Sequence, residues 1–309
     1  MERLITILGP TAVGKTDLTL ALAKEYNAEV ISGDAYQVYR GLTIGTAKPS
    51  KEELHIVPHH LIDILEPKDT YSVSLFQTQA KAIISTLNTS GTIPILSGGT
   101  GLYVQSLLEN YNFNDIAPNI ELRHQLDSIY EAEGIDGIRN KARTLAEEGR
   151  IHINYTDKHR LYRAIELMEA GQYEALTNQT KDGLSYIGPV IGLQRSREDL
   201  YSRINHRVDM MIERGLVEEV KSLVSTDVNR ECQAFKGIGY KEIIQYIDGH
   251  LTLNEAIDLI KKNTRHFAKR QITWYKRMPY IEWIDIDNLT TELDIFEKAK
   301  SIIVNHLDM

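Results

Sequence analysis

The sequence has a single cysteine, Cys232, so no disulfide can close within the chain and no cysteine-rich metal centre can be assembled. Long hydrophobic runs are missing too. The longest apolar stretches are five or six residues, against the ~20 that a membrane helix requires. There is no excess of basic charge. The net charge of −8 argues against a nonspecific nucleic-acid coat, yet leaves room for a local basic face. Internal repeats and low-complexity tracts are absent. His55, His59 and His60 have no carboxylate or cysteine beside them at ligand spacing, so they do not read as a metal site. The first apolar run starts at Leu4, which leaves no space for a cleavable leader, and a cytoplasmic enzyme is the expectation. With 309 residues the chain suits one large α/β domain, or a domain carrying a sizeable insertion.

Residues 9–16 supply the most specific pattern. Gly9, Pro10, Thr11, Ala12, Val13, Gly14, Lys15 and Thr16 form a complete phosphate-binding loop, G-x-x-x-x-G-K-[ST]. An apolar run (Leu4–Leu8) precedes it and helically spaced apolar residues follow, which is the strand–loop–helix setting the motif needs. The glycines let backbone N–H groups turn toward an anion in front of a helix N-terminus. Lys15 brings a point charge to a phosphate, and the Thr16 hydroxyl is placed to ligate Mg²⁺. The chain is expected to bind a diphosphate or triphosphate.

Around this loop the first half alternates strand and helix patterns. Strands are expected at Leu4–Leu8, Glu29–Ser32, Leu61–Ile64 and Ile93–Ser97, and helices at about 15–26, 74–87 and 102–108, with a polar loop over 40–52. From 114 to 186 strand signals vanish. Helical segments at 120–133, 136–148 and 157–170 read as an insertion. Strand patterns return at Gly188–Leu193 and Ile281–Ile286, with helices between. The fold class is therefore α/β: a P-loop core (1–113 and 187–309) with a parallel sheet, helices on both faces, and a helical insertion domain at 114–186. Catalytic groups should gather at the carboxyl ends of the strands.

A phosphate loop alone leaves a kinase of a nucleotide or small metabolite open. Three clusters narrow the choice. Asp34 ends the second strand, where a carboxylate could hold Mg²⁺, accept a proton from a nucleophile, or simply cap a turn; Tyr36, Gln37 and Tyr39 beside it suit stacking and amide bonding to a base. Ser97-Gly98-Gly99-Thr100 stands where many phosphate-loop enzymes carry an acidic metal ligand, and Thr100 could donate to a leaving oxygen or cap the next helix. Lys236, Gly237, Gly239 and Lys241 offer close backbone approach between cations. Residues 261–277 hold seven lysines and arginines and no acid, interleaved with Phe267, Trp274 and Tyr275. That composition suits a polyanion with bases to stack on, or an amphipathic helix whose aromatics face the core.

Together the phosphate loop, Ile31-Ser-Gly-Asp-Ala-Tyr-Gln-Val-Tyr-Arg-Gly-Leu-Thr-Ile-Gly-Thr-Ala-Lys-Pro49, Gly98-Gly-Thr-Gly-Leu-Tyr103, Ile238-Gly-Tyr-Lys-Glu242 and Phe267-Ala-Lys-Arg-Gln-Ile-Thr-Trp274 resemble the bacterial tRNA dimethylallyltransferase (tRNA isopentenyltransferase) family, over residues 3–285. The resemblance implies transfer of a dimethylallyl group from dimethylallyl diphosphate to N6 of the adenine 3′ of the anticodon, with Mg²⁺ and the tRNA anticodon stem-loop as partner. It implies that loop 9–16 holds the donor's diphosphate rather than ATP, that Asp34 is the general base, and that Thr100 contacts the bridging oxygen. Arg207 is then the second diphosphate cation, with Arg203 as its rival. Contacts to the tRNA are implied for Asp34, Ala35, Tyr36, Gln37, Thr100, Arg123, Arg160, Arg163, Lys236, Gly237 and Lys241. Arg160 and Arg163 could equally pair with Asp157 or Glu166 on one helix face. Gly33 and Ala35 depart from the residues that relatives often carry beside the aspartate, and the Cys/His zinc finger of some eukaryotic members is lacking.

Overall fold

The computed structural model describes residues 1–113, 116, 118–153, 155–177, 183–226, 228–289 and 291–307. It divides into two compact units, one of Met1–Glu109 with Gly183–Met309 and one of Asn110–Asp182. The boundary expected at Asn114 lies outside the described residues.

In the larger unit the chain runs from β1 (Ile5–Leu8) through the phosphate loop into α1 (Lys15–Glu25), then β2 (Val30–Ser32), α2 (Lys51–Ile56) and β3 (His59–His60). Next come α3 (Val73–Thr89), β4 (Ile95–Gly98) and α4 (Gly101–Leu108). The smaller unit contributes α5 (Ile120–Glu148), α6 (Lys158–Glu169) and the short α7 (Glu174–Thr177). The chain returns as β5 (Val190–Gln194), α8 (Arg197–Glu213), α9 (Leu216–Val224), α10 (Tyr240–Ile247), α11 (Leu253–Tyr275), β6 (Ile281–Asp285) and α12 (Glu292–Leu307).

The strands form one parallel sheet in the order β3-β2-β4-β1-β5-β6. Alternation along the central strand explains its two covered faces. Leu4 and Leu8 join one core with Phe76 and Ile84 of α3 and Leu107 of α4. Ile5 and Ile7 point the other way, into a core with Leu18 and Leu22 of α1 and Ile303 of α12. Local signals set the helix ends: Ser72 caps α3 through the Leu75 N–H, and Thr252 and Glu255 form a capping box on α11. Among the described residues no helix is long and apolar enough to cross a membrane.

The third strand lies earlier than its sequence pattern implied. It is His59–His60, and residues 61–64 form a turn. Leu61 and Asp63 have positive φ, 62° and 53°, which ends any extended run. The N–H groups of Asp63 and Ile64 instead donate to the carbonyls of Gln37 and Val38, so this segment braces the loop after β2. A second difference is α2, begun by a capping box at Ser50 and Glu53, which starts at the end of the polar loop expected over 40–52 and continues where no element was expected. Apolar periodicity could not reveal it, because none of its residues is buried.

The smaller unit packs α5 against α6 around Leu126, Ile138, Leu161 and Ile165. Gly134, at φ 67°, breaks α5 where the sequence showed two helical segments.

Candidate active site at the carboxyl end of the sheet

The register places the ends of three strands side by side: Leu8 opposite Gly98, and Ser32 opposite Ser97. Beyond those ends the phosphate loop, the Asp34 loop and the Gly99–Thr100 turn border one cavity of about 430 Å³. Its wall is completed by Arg207 of α8, by Lys236, Gly237 and Lys241, and by Phe267, Arg270 and Gln271 of α11.

Each loop is fastened from outside. In the phosphate loop, Ala12 has φ 64° and Gly14 φ 109°, so consecutive peptides turn and α1 opens from a left-handed residue without a side-chain cap. Arg203 Nε donates to the Ala12 carbonyl at 3.1 Å and Arg195 Nε to the Val13 carbonyl at 3.1 Å. Arg207 Nη1 donates to the Thr11 hydroxyl at 3.3 Å. Of these three cations only Arg207 lines the cavity; Arg203 is exposed and holds the loop from behind. The structure thus gives the rivals different positions.

Lys15 Nζ donates to the carbonyls of Gly9 (2.8 Å) and Pro10 (2.9 Å). Burial together with the neighbouring Arg207 lowers its pKa to about 7, against a partial upward pull from Asp34. Burial likewise holds the Arg207 guanidinium below its ordinary value, Asp17 opposing and Arg203 and Arg214 adding to the effect. A wall that strains two cations in this way is short of negative charge. An entering anion relieves that strain.

Asp34 Oδ1 accepts from the N–H groups of Tyr36 (2.8 Å) and Gln37 (3.2 Å), so the carboxylate does cap its own turn. Its other oxygen has no protein partner among the described residues. Burial raises the carboxyl above the ordinary range and outweighs those two N–H groups, Lys15 and Lys48. Lys48 donates to the Tyr39 carbonyl (2.9 Å) and to Asp63 Oδ1 (2.5 Å), closing the loop behind Asp34. Thr100 stands at the N-cap of α4 but its hydroxyl does not cap the helix; Oγ1 accepts from the Ala35 N–H at 3.2 Å. Close packing of glycines permits this proximity. A Cβ on Gly98 would lie 2.5 Å from Gly33 Cα.

The remaining expected residues fall into distinct settings. Tyr36 borders the cavity, and a Cβ on Gly237 would lie 3.1 Å from its ring. Gln37 also borders it, but both ends of its amide are spent within the protein: Ser32 Oγ donates to Oε1 (2.9 Å), and Nε2 donates to the Thr46 and Ala47 carbonyls. The amide expected from its sequence position to face a base thus also fixes the loop. In the smaller unit Arg123 grips the buried Glu166 with two bonds (2.6 and 3.2 Å), and Arg163 adds a third at 3.2 Å. The pairing of Arg163 with Glu166, one of the two sequence alternatives, is what the structure shows. Arg160 is exposed, and only its backbone N–H bonds to Asp157.

The basic aromatic stretch 261–277 forms the C-terminal part of α11, up to Tyr275, and divides its side chains between the core and the cavity wall. Tyr275 is buried and donates to the Gly99 carbonyl (2.8 Å), and Trp274 packs on Gly101, while Phe267 and Arg270 border the cavity. Sequence reasoning gave no role to Gln271 or Arg195, and named Ser97 only as part of the glycine turn. Ser97 Oγ shares a hydrogen bond of 2.8 Å with Thr19 Oγ1. Gln271 lay inside a quoted motif, but an amide among lysines and arginines reads as solvated until the fold buries it.

No cluster of three or more His, Cys, Asp or Glu side chains suited to a metal exists among the described residues. The Thr16 hydroxyl borders the cavity and has no protein partner among them. Such a lone hard donor fits Mg²⁺, a cation that takes few protein ligands and keeps waters and phosphate oxygens.

Comparison with known proteins agrees with this arrangement. Residues 37–278 match the IPP transferase family model and residues 2–63 the isopentenyl transferase model. A tRNA dimethylallyltransferase of Halalkalibacterium halodurans is 41% identical, over 96% of this chain and 95% of its own. One from Clostridioides difficile is 45% identical over 92% of each. Among solved structures, a full-length tRNA isopentenylpyrophosphate transferase from Bacillus halodurans superposes with a TM-score of 0.74 at 41% identity, covering 98% of this chain and 96% of that one. A eukaryotic dimethylallyltransferase captured acting on tRNA gives 0.75 at 28% identity, covering 97% and 77%. A phosphate loop facing a partner-free carboxylate oxygen, in a chain matched over nearly its whole length, leads to one conclusion: the protein belongs to the tRNA dimethylallyltransferase family.

Proposed function

We propose that the protein transfers the dimethylallyl group of dimethylallyl diphosphate to N6 of the adenine 3′-adjacent to the anticodon in tRNA, releasing diphosphate. The observation that carries this reading is one cavity with a phosphate loop on one wall and, beside it, a half-buried carboxylate with an unengaged oxygen. The N6–C1 bond forms as the C1–O bond to diphosphate breaks, and the N6 proton passes to Asp34. An exocyclic amine is too weak an acid to ionise first, so the carboxylate must act as the new bond forms. The burial that raises the Asp34 carboxyl also makes its ionised form a better proton acceptor.

The leaving diphosphate gathers charge, and Lys15, Arg207 and the N-terminus of α1 face that charge in a water-poor site. Mg²⁺, held through Thr16, would supply further neutralisation of the diphosphate when bound. Thr100 borders the cavity beside the Asp34 loop, suiting it to the bridging oxygen. The adenine leaves its stack to reach this depth, which costs a few kcal/mol, on the order of one unstacking step. Tyr36, Phe267, Lys236 and Lys241 at the cavity wall suit the extruded base and its phosphates. In the helical unit Arg160 is exposed and suits a contact with RNA, while Arg123 and Arg163 also hold Glu166. A cytoplasmic location suits an activity on tRNA.

The test is transfer of radiolabel from dimethylallyl diphosphate to an anticodon stem-loop RNA in the presence of Mg²⁺. Label in the RNA that is lost when the target adenine is replaced supports the reading. Label on free AMP alone, or phosphoryl transfer from ATP instead, would overturn it.

A further inference from the structure

We infer that Gln271 is a positioning residue that sets Thr100 against the phosphate loop, an inference that rests on the function proposed above. The parallel ladder between β1 and β4 ends at the pair Leu8 and Gly98. Just after it the phosphate loop and the Gly99–Thr100 turn no longer share ladder bonds, although the Thr100 N–H still donates to the Gly33 carbonyl on the other side at 3.3 Å. At that point the Gln271 side chain, 4% exposed, reaches in from α11. The Thr11 N–H donates to its Oε1 at 2.9 Å, and its Nε2 donates to the Gly99 carbonyl at 2.7 Å. A primary amide accepts at one end and donates at the other, as a peptide group does. Gln271 therefore inserts one further rung between two diverging strands, made from a side chain 260 residues away from one partner and 172 from the other.

Several features show that the rung is specific. The two contacts fix the orientation of the amide, because a flipped amide would set NH₂ against N–H and oxygen against oxygen. Both neighbouring residues carry site groups: the Thr11 hydroxyl receives Arg207, and Thr100 follows Gly99. Gly99 has to lack a side chain, since a Cβ there would lie 2.6 Å from Gln271 Nε2. One turn further along α11, Tyr275 Oη donates to the same carbonyl, so the helix grips Gly99 twice. The Thr11 N–H, bonded to protein, is withdrawn from the anion cradle. The amide's contribution is thus to the relative placement of two walls and not to the affinity of either.

The placement of reacting groups within about 1 Å is worth up to ~100-fold in rate. Gln271→Met keeps the shape and removes both bonds. The expected result is a 10- to 100-fold lower single-turnover rate at saturating RNA, with KM for dimethylallyl diphosphate within threefold of wild type. The decisive measurement is a double-mutant cycle with Thr100→Ala: if Gln271 acts through Thr100, adding Gln271→Met to Thr100→Ala lowers the rate by less than threefold. Thermal melting of each variant runs alongside, and a rate loss that persists well below the midpoint separates placement from unfolding. Losses that multiply in the cycle, or a loss confined to donor KM, would overturn the inference while leaving the proposed activity standing. A wild-type protein that transfers no label to RNA would overturn both.

Discussion

Replacing Asp34 by Asn isolates the proton-accepting role, because the structure says what an amide keeps. Oδ1 accepts from two backbone N–H groups, and an Asn carbonyl oxygen accepts from both in the same way. Ala would discard those bonds, costing about 2 kcal/mol at ~1 kcal/mol each and disordering the loop that carries Tyr36 and Gln37. Asn removes only the base. General-base catalysis contributes about 10²- to 10⁴-fold, or about 3–5 kcal/mol of barrier. The assay is single-turnover label transfer to stem-loop RNA across pH, with RNA affinity and melting temperature measured on the same samples. Wild type should lose kcat/KM on the acid side as the Asp34 carboxyl, raised by burial, takes up its proton. Asp34→Asn should fall by at least 100-fold, lose that acid limb, and keep its melting temperature within a few degrees. A rate within threefold of wild type, or an acid limb that survives the substitution, would refute the assignment.

Other outcomes follow from the same geometry. On the alkaline side kcat/KM should fall as pH rises through about 7, because Lys15 loses its proton there in the free protein; Lys15→Arg, whatever its absolute rate, should abolish that limb. Arg207→Ala, which removes a cation from the cavity wall, should lower the rate about 10²- to 10³-fold, by analogy with loss of one preorganised stabilising group. Arg203→Ala, behind the loop, should stay within about tenfold, and equal losses in the two would contradict the distinction. Gly98→Ala sets a methyl 2.5 Å from Gly33 backbone, and should cost about 1–3 kcal/mol, read as a melting temperature several degrees lower.

The sequence was informative wherever function needs particular residues in one short segment. The phosphate loop, the Asp34 cluster and the glycine turn at Thr100 are such segments, and their order along alternating strand and helix patterns was enough to set the fold class. Legibility failed where a residue's job depends on a distant partner. The grip of Arg123 on Glu166 was not legible, because Arg123 reaches that carboxylate only through packing of α5 on α6, whereas the local Arg163–Glu166 pair was among the sequence alternatives. The part Gln37 plays in bracing its loop was not legible, because Ser32 and the 46–47 carbonyls close on it only when the loop folds back. The 61–64 run read as a strand because it is short and mostly apolar, but the N–H groups of Asp63 and Ile64 are taken by the loop after β2.

By itself, then, the sequence determined the anion cradle, the carboxylate beside it and the parallel α/β core, since backbone turns and apolar periodicity are local properties. Tertiary structure alone decided which of two arginines one helical turn apart enters the cavity, and that Gln271 joins the loops beyond the sheet's last rung. Both depend on where α8 and α11 cross the carboxyl end of the sheet. That crossing is fixed by side-chain packing among elements far apart in the chain, and no short stretch of sequence records it.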